Sequence, residues 1–324
     1  MKAFVTGGTG FIGSHLVEHL IYHKHAEVFA LVRDPAHLKW LGGLDVHPLT
    51  GDLFTLPPLP KDLDCVIHAA GLTKAFKSAA YYTVNHQGTA SLFQVLEAQG
   101  IAPSRVIHLS SLAASGPSSY GKPVKEDDPP HPLNAYGKSK LLAEQEALKF
   151  KDRLKLVIVR PGGVYGPRDK DFLSYFRIIN RGILPSLASQ KRWLSLCYVK
   201  DLIQAIDLCL QNDLPSGEII NIADPQPYTW DEIGIEAGKT LDKKLRRVKI
   251  PFTLLRSAAV LSEAMGRLGK HPPAFNRQKL KEMEQPGWVA DITKARTLLR
   301  FSPRYSLAEG LRETLGWYRD RGWM

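Results

Sequence analysis

A doubly wound α/β architecture, with a parallel sheet covered by helices on both faces and a smaller C-terminal lobe, is the fold class predicted for this chain of 324 residues. Three observations carry that expectation. An apolar run, Ala3, Phe4 and Val5, passes straight into a cluster holding Gly7, Gly8, Gly10 and Gly13, and an amphipathic run over 14–23 follows. The chain therefore opens as strand, tight turn and helix. Strand-like and helix-like runs then alternate to about residue 165, as βαβ units require. Beyond that point the regularity fades into a Pro- and Arg-rich stretch of shorter elements, consistent with a lobe built over the carboxyl ends of the strands.

Taken in order, the strand-like runs are residues 3–7, 26–32, 44–50, 64–71, 105–111 and 154–162. Val and Ile dominate them and charges fall at their ends, the composition of strands buried on both faces. Between them, residues 36–43, 81–100 and 135–150 carry helical patterns. No internal repeat or low-complexity tract interrupts the order.

The first turn is the most informative stretch. Gly8, Gly10 and Gly13 meet the spacing G-x-G-x-x-G, while Gly7, Gly10 and Gly13 meet the wider G-x-x-G-x-x-G. Glycine there permits positive φ and close approach of the backbone to a diphosphate. The helix that follows offers free N–H groups and its positive dipole end to the phosphates. Placed between a first strand and a first helix, the motif predicts a Rossmann-type dinucleotide site. The second strand ends at Arg33, followed by Asp34 and Pro35. An Arg at this point suits a 2′-phosphate, with Lys39 as a further charge, which places NADP ahead of NAD. Asp34 reads either as a helix cap before proline or as a ligand of the ribose diol. Asp52, at the end of the third strand, reads equally as a turn residue and as an acceptor for the adenine amine.

Composition bounds the alternatives. With 44% hydrophobic residues the chain can bury a large core, and no apolar run reaches the ~18–20 residues of a membrane span. A strand-like start argues against a signal peptide. Cys65, Cys197 and Cys209 are scattered, which fits a reducing, cytoplasmic setting and neither a disulfide framework nor a metal site. The net charge of +11 has no nucleic-acid fold signature beside it, so no nucleic-acid partner is expected.

The chemistry points to residues 134–140, NAYGKSK. Tyr136 and Lys140 stand four apart, on one face of a helix. A phenol with pKa near 10 is a poor acid–base group at neutral pH, and a neighbouring ammonium is expected to lower it. Such a pair can move a proton on oxygen while hydride moves on carbon. Upstream, Ser110 and Ser111 close a strand, and Ser111 is the better placed of the two to polarise a carbonyl.

With these motifs assembled, the sequence resembles the extended short-chain dehydrogenase/reductase family, also called the NAD-dependent epimerase/dehydratase family. TGGTGFIG, GDL, HAAG (68–71), VNHQGT (84–89), SSLAASG, YGKSK, RPGGVYGP (160–167) and YVKDLIQA (198–205) fall in the family order. The resemblance implies that Tyr136 is the acid–base residue, that Lys140 binds the nicotinamide ribose, and that Ser111 orients the reacting oxygen. It implies cofactor contacts from Gly7, Thr9, Gly10, Phe11, Ile12 and Gly13, from Asp52 and Leu53, and from Ala69, Ala70 and Gly71. Asn85 and the loop from Pro161 to Val164 complete that set. The same resemblance implies a cofactor domain over 1–165, rejoined by 195–224, and a mainly substrate-binding lobe over 166–324. It also makes a homodimer through the helices of 85–98 and 136–150 an expectation.

Within the family, Leu194 occupies the position where nucleotide-sugar enzymes typically carry a diphosphate-binding Arg, and Arg192 is two residues early. LVRDP and the C-terminal stretch look more like the branch of 3β-hydroxysteroid dehydrogenases and dihydroflavonol reductases. The expected activity is NAD(P)-dependent interconversion of a carbonyl and an alcohol on a hydrophobic small molecule. The alternatives are a nucleotide-sugar epimerase or dehydratase and a cofactor-binding assembly protein without catalysis.

A stripe of Leu254, Ala258, Leu261, Met265 and Leu268 is flanked by Lys243, Lys244, Arg246, Arg247 and Lys249 on one side and by Arg267 and Lys270 on the other. This stripe either packs on the core or caps the substrate pocket, or it lies against the inner face of an anionic membrane. His15, His19 and His23, with no acidic or cysteine partner nearby, read as a solvated helix face. Trp288, Trp317 and Trp323 read as packing residues, and Arg160 as a buried group at a strand end.

Overall fold

The computed structural model describes residues 1–119, 121–187, 191–266 and 277–324, without the side chains of 187 and 263–266. In the first half, strand β1 (Lys2–Thr6) leads to helix α1 (Phe11–Lys24), then β2 (Glu27–Val32), β3 (Val46–Thr50) and β4 (Cys65–His68). Helices α2 (Ser78–Tyr81) and α3 (Gly88–Ala98) follow, joined by a π-helical stretch over Tyr82–Gln87, and then β5 (Arg105–Leu109), α4 (Ala135–Leu148) and β6 (Leu156–Pro161). The second half holds β7 (Gly163–Tyr165), α5 (Leu173–Asn180), β8 (Ile183–Leu187), β9 (Trp193–Leu194), β10 (Leu196–Tyr198), α6 (Val199–Gln211) and β11 (Glu218–Ile222). It continues with β12 (Tyr228–Thr229), α7 (Trp230–Thr240), β13 (Arg246–Ile250), α8 (Phe252–Gly266), α9 (Arg277–Glu284), β14 (Gly287–Trp288), α10 (Thr293–Leu299) and α11 (Leu307–Asp320).

Seven strands form one sheet in the order β11-β6-β5-β4-β1-β2-β3, and every neighbouring pair is parallel. All six strand-like runs of the sequence are present in it. The seventh, β11, was not among them: its GEIINI has too little length or alternation to stand out, and pairing with β6 in register, Ile220 against Val159, defines it. Both faces are covered. Leu16, Val17 and Leu20 of α1 pack with Leu202 and Ile206 of α6 on one side. Leu92, Phe93 and Leu96 of α3 pack with Ala147 and Phe150 on the other. A third cluster, with Tyr165, Phe176, Ile233, Leu311 and Tyr318, lies among the later elements.

Three expectations need correction. Residues 36–43 form only a single 3-10 turn at Lys39–Leu41, because Lys39 is left-handed at φ 52° and Gly42 leaves helical geometry. The histidine face of α1 is not wholly solvated. Only 11% of the His15 side chain is exposed, and its Nε2 lies 2.9 Å from the Pro167 carbonyl oxygen. Acidic partners are also at hand, with His15 3.8 Å from Glu18 and His19 3.6 Å from Asp207. The apolar stripe of α8 does not pack on the core, since Leu254 and Leu261 are each 62% exposed. Its buried side is carried instead by Ala259. Arg267, Leu268 and Lys270, and the side chain of Met265, lie outside the described residues.

Trp317 and Trp323 do act as packing residues: their rings meet edge to face at 4.8 Å, and Trp40 from the N-terminal half joins Trp317 at 5.6 Å. Among the described residues no helix is long and apolar enough to cross a membrane.

Candidate active site

The carboxyl ends of β1, β2, β3, β4, β5 and β6 gather the residues singled out in the sequence, the position where open α/β sheets place their sites. At the end of β1, Gly7 has φ 74°, and a Cβ there would stand 2.6 Å from the Ala70 nitrogen. A Cβ on Gly13 would stand 2.1 Å from the Gly7 oxygen, and Gly10 N–H donates to that same oxygen at 2.9 Å. The wider spacing, Gly7-x-x-Gly10-x-x-Gly13, is therefore the one the turn requires. A Cβ on Gly8 would meet only side chains, at 3.4–3.5 Å. Helix α1 starts from Gly10 with no side-chain cap, so its first N–H groups at Phe11, Ile12 and Gly13 are open to an anionic ligand. Thr9 lies in the same turn. A dinucleotide diphosphate fits this cradle, where backbone fills the space a side chain would need.

Arg33 stands exposed just past β2. The Asp34 carboxylate is used by its own turn, accepting from Ala36 N–H at 2.9 Å and lying 2.6 Å from His37 Nδ1; these bonds, the His37 one foremost, hold its pKa below the usual carboxylate range. Asp34 thus closes a local turn and caps no helix, since none follows it directly, and its use there leaves Arg33 as the charge facing outward at this strand end. Asp52 closes a similar turn, its Oδ1 accepting from Phe54 N–H at 2.8 Å and Thr55 N–H at 2.9 Å. The Phe54 bond is the main reason its pKa is lowered, and Arg33 adds a smaller attraction. Leu53 is buried against Gly88, where a Cβ would stand 2.6 Å from its Cδ1.

The turn after β4 is held from two sides. Ala69 N–H donates to the Thr6 carbonyl at 3.1 Å and Ala70 N–H to the Thr6 hydroxyl at 3.3 Å. Asn85, buried in the π-helical stretch, accepts from Leu72 N–H at 2.6 Å and donates to the Leu72 carbonyl at 3.0 Å and to Ser139 Oγ at 2.9 Å. It thus ties this loop to α4, and a π-turn at a functional position is a common pairing. A Cβ on Gly71 would lie 3.4 Å from Asn85 Oδ1 and 3.8 Å from Lys140 Nζ.

Helix α4 is aimed by its own first turn. Asn134 caps it, accepting from Gly137 N–H at 2.9 Å while its Nδ2 donates to Glu282 of α9 at 2.6 Å. Gly137 matters because a Cβ there would stand 2.4 Å from the Ala113 oxygen. Without a side chain, α4 approaches the short turn Leu112–Ala114, which Ser111 caps through Ala113 N–H at 3.2 Å. The Ser111 hydroxyl is thereby brought close enough to the Tyr136 phenol to favour its ionisation. Ser110 faces the other way and donates to Glu144. One turn after Tyr136, buried Lys140 donates from Nζ to the Leu109 carbonyl at 2.7 Å.

The electrostatics differ from expectation at Tyr136. Burial pushes its phenol up to about 12, and the Asp171, Glu282 and Tyr81 groups add to the rise, while only the Ser111 hydroxyl eases it. Lys140 is not among the groups that act on the phenol, and burial lowers its own pKa to about 8 against a smaller opposing pull from Glu144. The phenol stays protonated at neutral pH, the form that donates to a substrate oxygen. Pro161 is buried at the end of β6, and the loop after it is pinned by Gly162 N–H to the Ile222 carbonyl at 2.9 Å and Gly163 N–H to the Ser195 carbonyl at 2.8 Å. Val164 continues it into β7, opposite Cys197 of β10.

Four partners of this constellation had no reading in the sequence. Tyr81 meets the Tyr136 ring edge to face at 6.0 Å. Asp171 pairs with Lys74, and Glu282 reaches the α4 cap from α9. These three depend on tertiary approach and leave no local pattern. Glu144 did leave one, four residues after Lys140 on the same helix.

The family model of the NAD dependent epimerase/dehydratase family matches residues 3–223. The chain belongs to that family. This extended dehydrogenase/reductase is 31% identical over 325 residues to the ceramide reductase of Caulobacter vibrioides, covering 99% of this chain and 95% of that protein. It is 28% identical to the UDP-glucose 4-epimerase of Vibrio cholerae, over 96% of this chain and 93% of the relative. Among solved structures, the UDP-glucuronic acid 4-epimerase of Bacillus cereus in complex with NAD superposes with a TM-score of 0.77 at 26% identity, over 99% of both chains. The enzyme is thus an NAD(P)-dependent dehydrogenase/reductase of the extended type, on a Rossmann-like sheet.

Proposed function

We propose that this enzyme reduces a ketone on an uncharged, lipid-like molecule, with NADPH preferred to NADH and residues 1–165 with 195–224 forming the cofactor domain. The observation that carries the substrate class is the setting of Leu194. In β9 it stands opposite Tyr228 of β12 on one side and Trp288 of β14 on the other. Arg192 does not substitute for a cation at that point, since its guanidinium lies over the Phe252 ring at 4.7 Å. A diphosphate brought against Leu194 would lose water without gaining a paired cation, which is costly. The relationship to a ceramide reductase supports the same class.

A nicotinamide cofactor held by the Gly7–Gly13 turn and Arg33 would supply the hydride for the carbonyl carbon. Tyr136 gives its phenolic proton to the carbonyl oxygen, Ser111 holds that oxygen, and Lys140 fixes the ribose side of the site. For the cofactor, Arg33 favours a 2′-phosphate because Asp34 is occupied by its own turn. The test is a turnover screen followed by nicotinamide absorbance, with ceramide-like, steroid, flavonoid and isoprenoid ketones beside UDP-, GDP- and dTDP-sugars. NADPH oxidation with a member of the lipophilic panel is the expected result. Conversion of a nucleotide sugar with the lipophilic panel silent would restore the epimerase/dehydratase reading.

A further inference from the structure

Helix α8 is apolar on two sides and covered on one. Its inner side carries Phe252, Leu255 and Ala259, of which Ala259 is fully buried. Its outer side presents Leu254, Ala258, Val260 and Leu261, with Leu254 and Leu261 62% exposed and Val260 50% exposed. An exposed apolar strip of this kind on an otherwise polar surface marks a contact with something. The strand that leads into it, β13, adds exposed Arg246, Arg247 and Lys249 and exposed Val248. From 242 to 263 the chain carries Lys243, Lys244, Arg246, Arg247, Lys249 and Arg256 against Asp242 and Glu263 at its two ends.

We propose that α8 and β13 together form a docking surface for an anionic lipid bilayer. The helix lies in the interface with Leu254, Val260 and Leu261 among the acyl chains, and the basic strand sits against the headgroups. Charge selects this occupant over a second copy of the chain, since a surface this basic repels itself and attracts an anionic one. Two of the six cations have half-buried acidic partners, Arg247 with Asp231 at 3.1 Å and Arg256 with Glu284 at 2.8 Å. Neither pair is buried, so both cations remain within reach of headgroups.

The surface also connects to the chemistry. Helix α8 packs against α9, and Glu282 of α9 accepts from the Asn134 side chain that caps the Tyr136 helix. A molecule leaving the bilayer beside α8 is therefore one helix away from the first turn of α4. This role deepens the lipid-substrate reading, and the binding assay below runs without turnover, so that the two can fail separately.

The experiment is flotation of the purified full chain with vesicles of phosphatidylcholine alone and with vesicles containing phosphatidylglycerol, at low and high salt. Each basic residue at an anionic surface strengthens partitioning roughly fivefold, so a clear preference for the anionic vesicles that weakens with salt is expected. Leu254→Asp with Leu261→Asp, and separately Arg246→Glu with Lys249→Glu, should each abolish flotation while leaving NADPH affinity and secondary structure unchanged. Equal recovery with both vesicle types, or anionic binding that survives both double variants, would overturn the proposal. So would a concentration-dependent dimer that Leu254→Asp dissolves in the absence of vesicle binding, since the strip would then be a protein interface. Retained ketone reduction in any of these outcomes leaves the proposed activity standing.

Discussion

Arg160 and Glu144 form a two-armed ion pair inside the protein, with Nε donating at 2.9 Å and Nη2 at 2.6 Å and with 4% and 1% of their side chains exposed. The pair joins three elements that each carry part of the site. Glu144 lies one turn beyond Lys140 on α4. Arg160 immediately precedes Pro161 on β6, and its third arm donates to Ser115 at 2.9 Å. Ser110, next to Ser111, donates to the same carboxylate. The spacing between Ser111, Tyr136 and the Pro161 loop is therefore held by a buried network with its charges matched.

Replacing Glu144→Gln tests this. It leaves a buried guanidinium without its counter-charge, which costs about 3–5 kcal/mol of stability when one partner of such a pair is lost. A second effect separates positioning from mere stability. Glu144 pulls the Lys140 pKa upward against burial, which even so brings it down to about 8. If turnover needs the ammonium, kcat/KM in the wild type falls as pH rises through that region, and in Glu144→Gln the fall begins at lower pH. A lower melting temperature with an unmoved alkaline limb would confine Glu144 to a structural role.

Arg33→Ala addresses the cofactor. The wild type should bind NADPH more tightly than NADH in a fluorescence titration, and the variant should lose most of that difference while keeping its NADH affinity. Equal binding of both by the wild type would remove Arg33 from the 2′-phosphate site.

Tyr136→Phe keeps the ring against Tyr81 and removes the proton. Single-turnover kinetics should show the chemical step slowed by roughly two to four decades with cofactor affinity little changed, the usual scale for a lost acid–base group. Because burial and the Asp171 and Glu282 carboxylates hold the wild-type phenol protonated up to about 12, reduction should show no alkaline limb from this residue below that pH. Near-normal turnover in the variant would mean that the proton arrives by another route.

The parts of the molecule legible in the sequence are those fixed by local chemistry. Six of the seven strands announced themselves through Val- and Ile-rich runs, and the glycine turn and the Tyr136–Lys140 spacing through their own residues. What lay hidden was set by approach between distant segments. Lys74 with Asp171, and Asn134 with Glu282, are separated by about a third to nearly half of the chain, and neither pair has a periodicity to betray it. The Tyr136 pKa went the other way for the same reason, since spacing places Lys140 on the right face but says nothing of burial or of the two carboxylates that converge from other elements. Helix α8 misled differently. Its apolar stripe was evident, whereas its outward orientation depends on which face α9 happens to cover.

The glycine turn offers the sharpest discrimination, because two overlapping spacings share Gly10 and Gly13 and differ in Gly7 and Gly8. A Cβ on Gly13 would stand 2.1 Å from the Gly7 oxygen and 3.0 Å from Gly8 Cα, contacts with backbone that no side-chain rotation can relieve. Gly13→Ala should therefore force α1 away from β1, cost ~1–3 kcal/mol of stability, and sharply weaken cofactor binding, since the first N–H groups of α1 shift with the helix. Gly8→Ala would meet Val17, Ala30 and Leu41 side chains at 3.4–3.5 Å, ordinary contact distance, and Gly8 is not among the glycines of positive φ. That variant should stay within about 0.5 kcal/mol of the wild type and bind NADPH normally. Chemical denaturation and calorimetric titration of the two proteins side by side decide it. If Gly8→Ala proves as damaging as Gly13→Ala, the turn requires the glycine of the narrower spacing and the assignment of the wider one to the diphosphate turn fails.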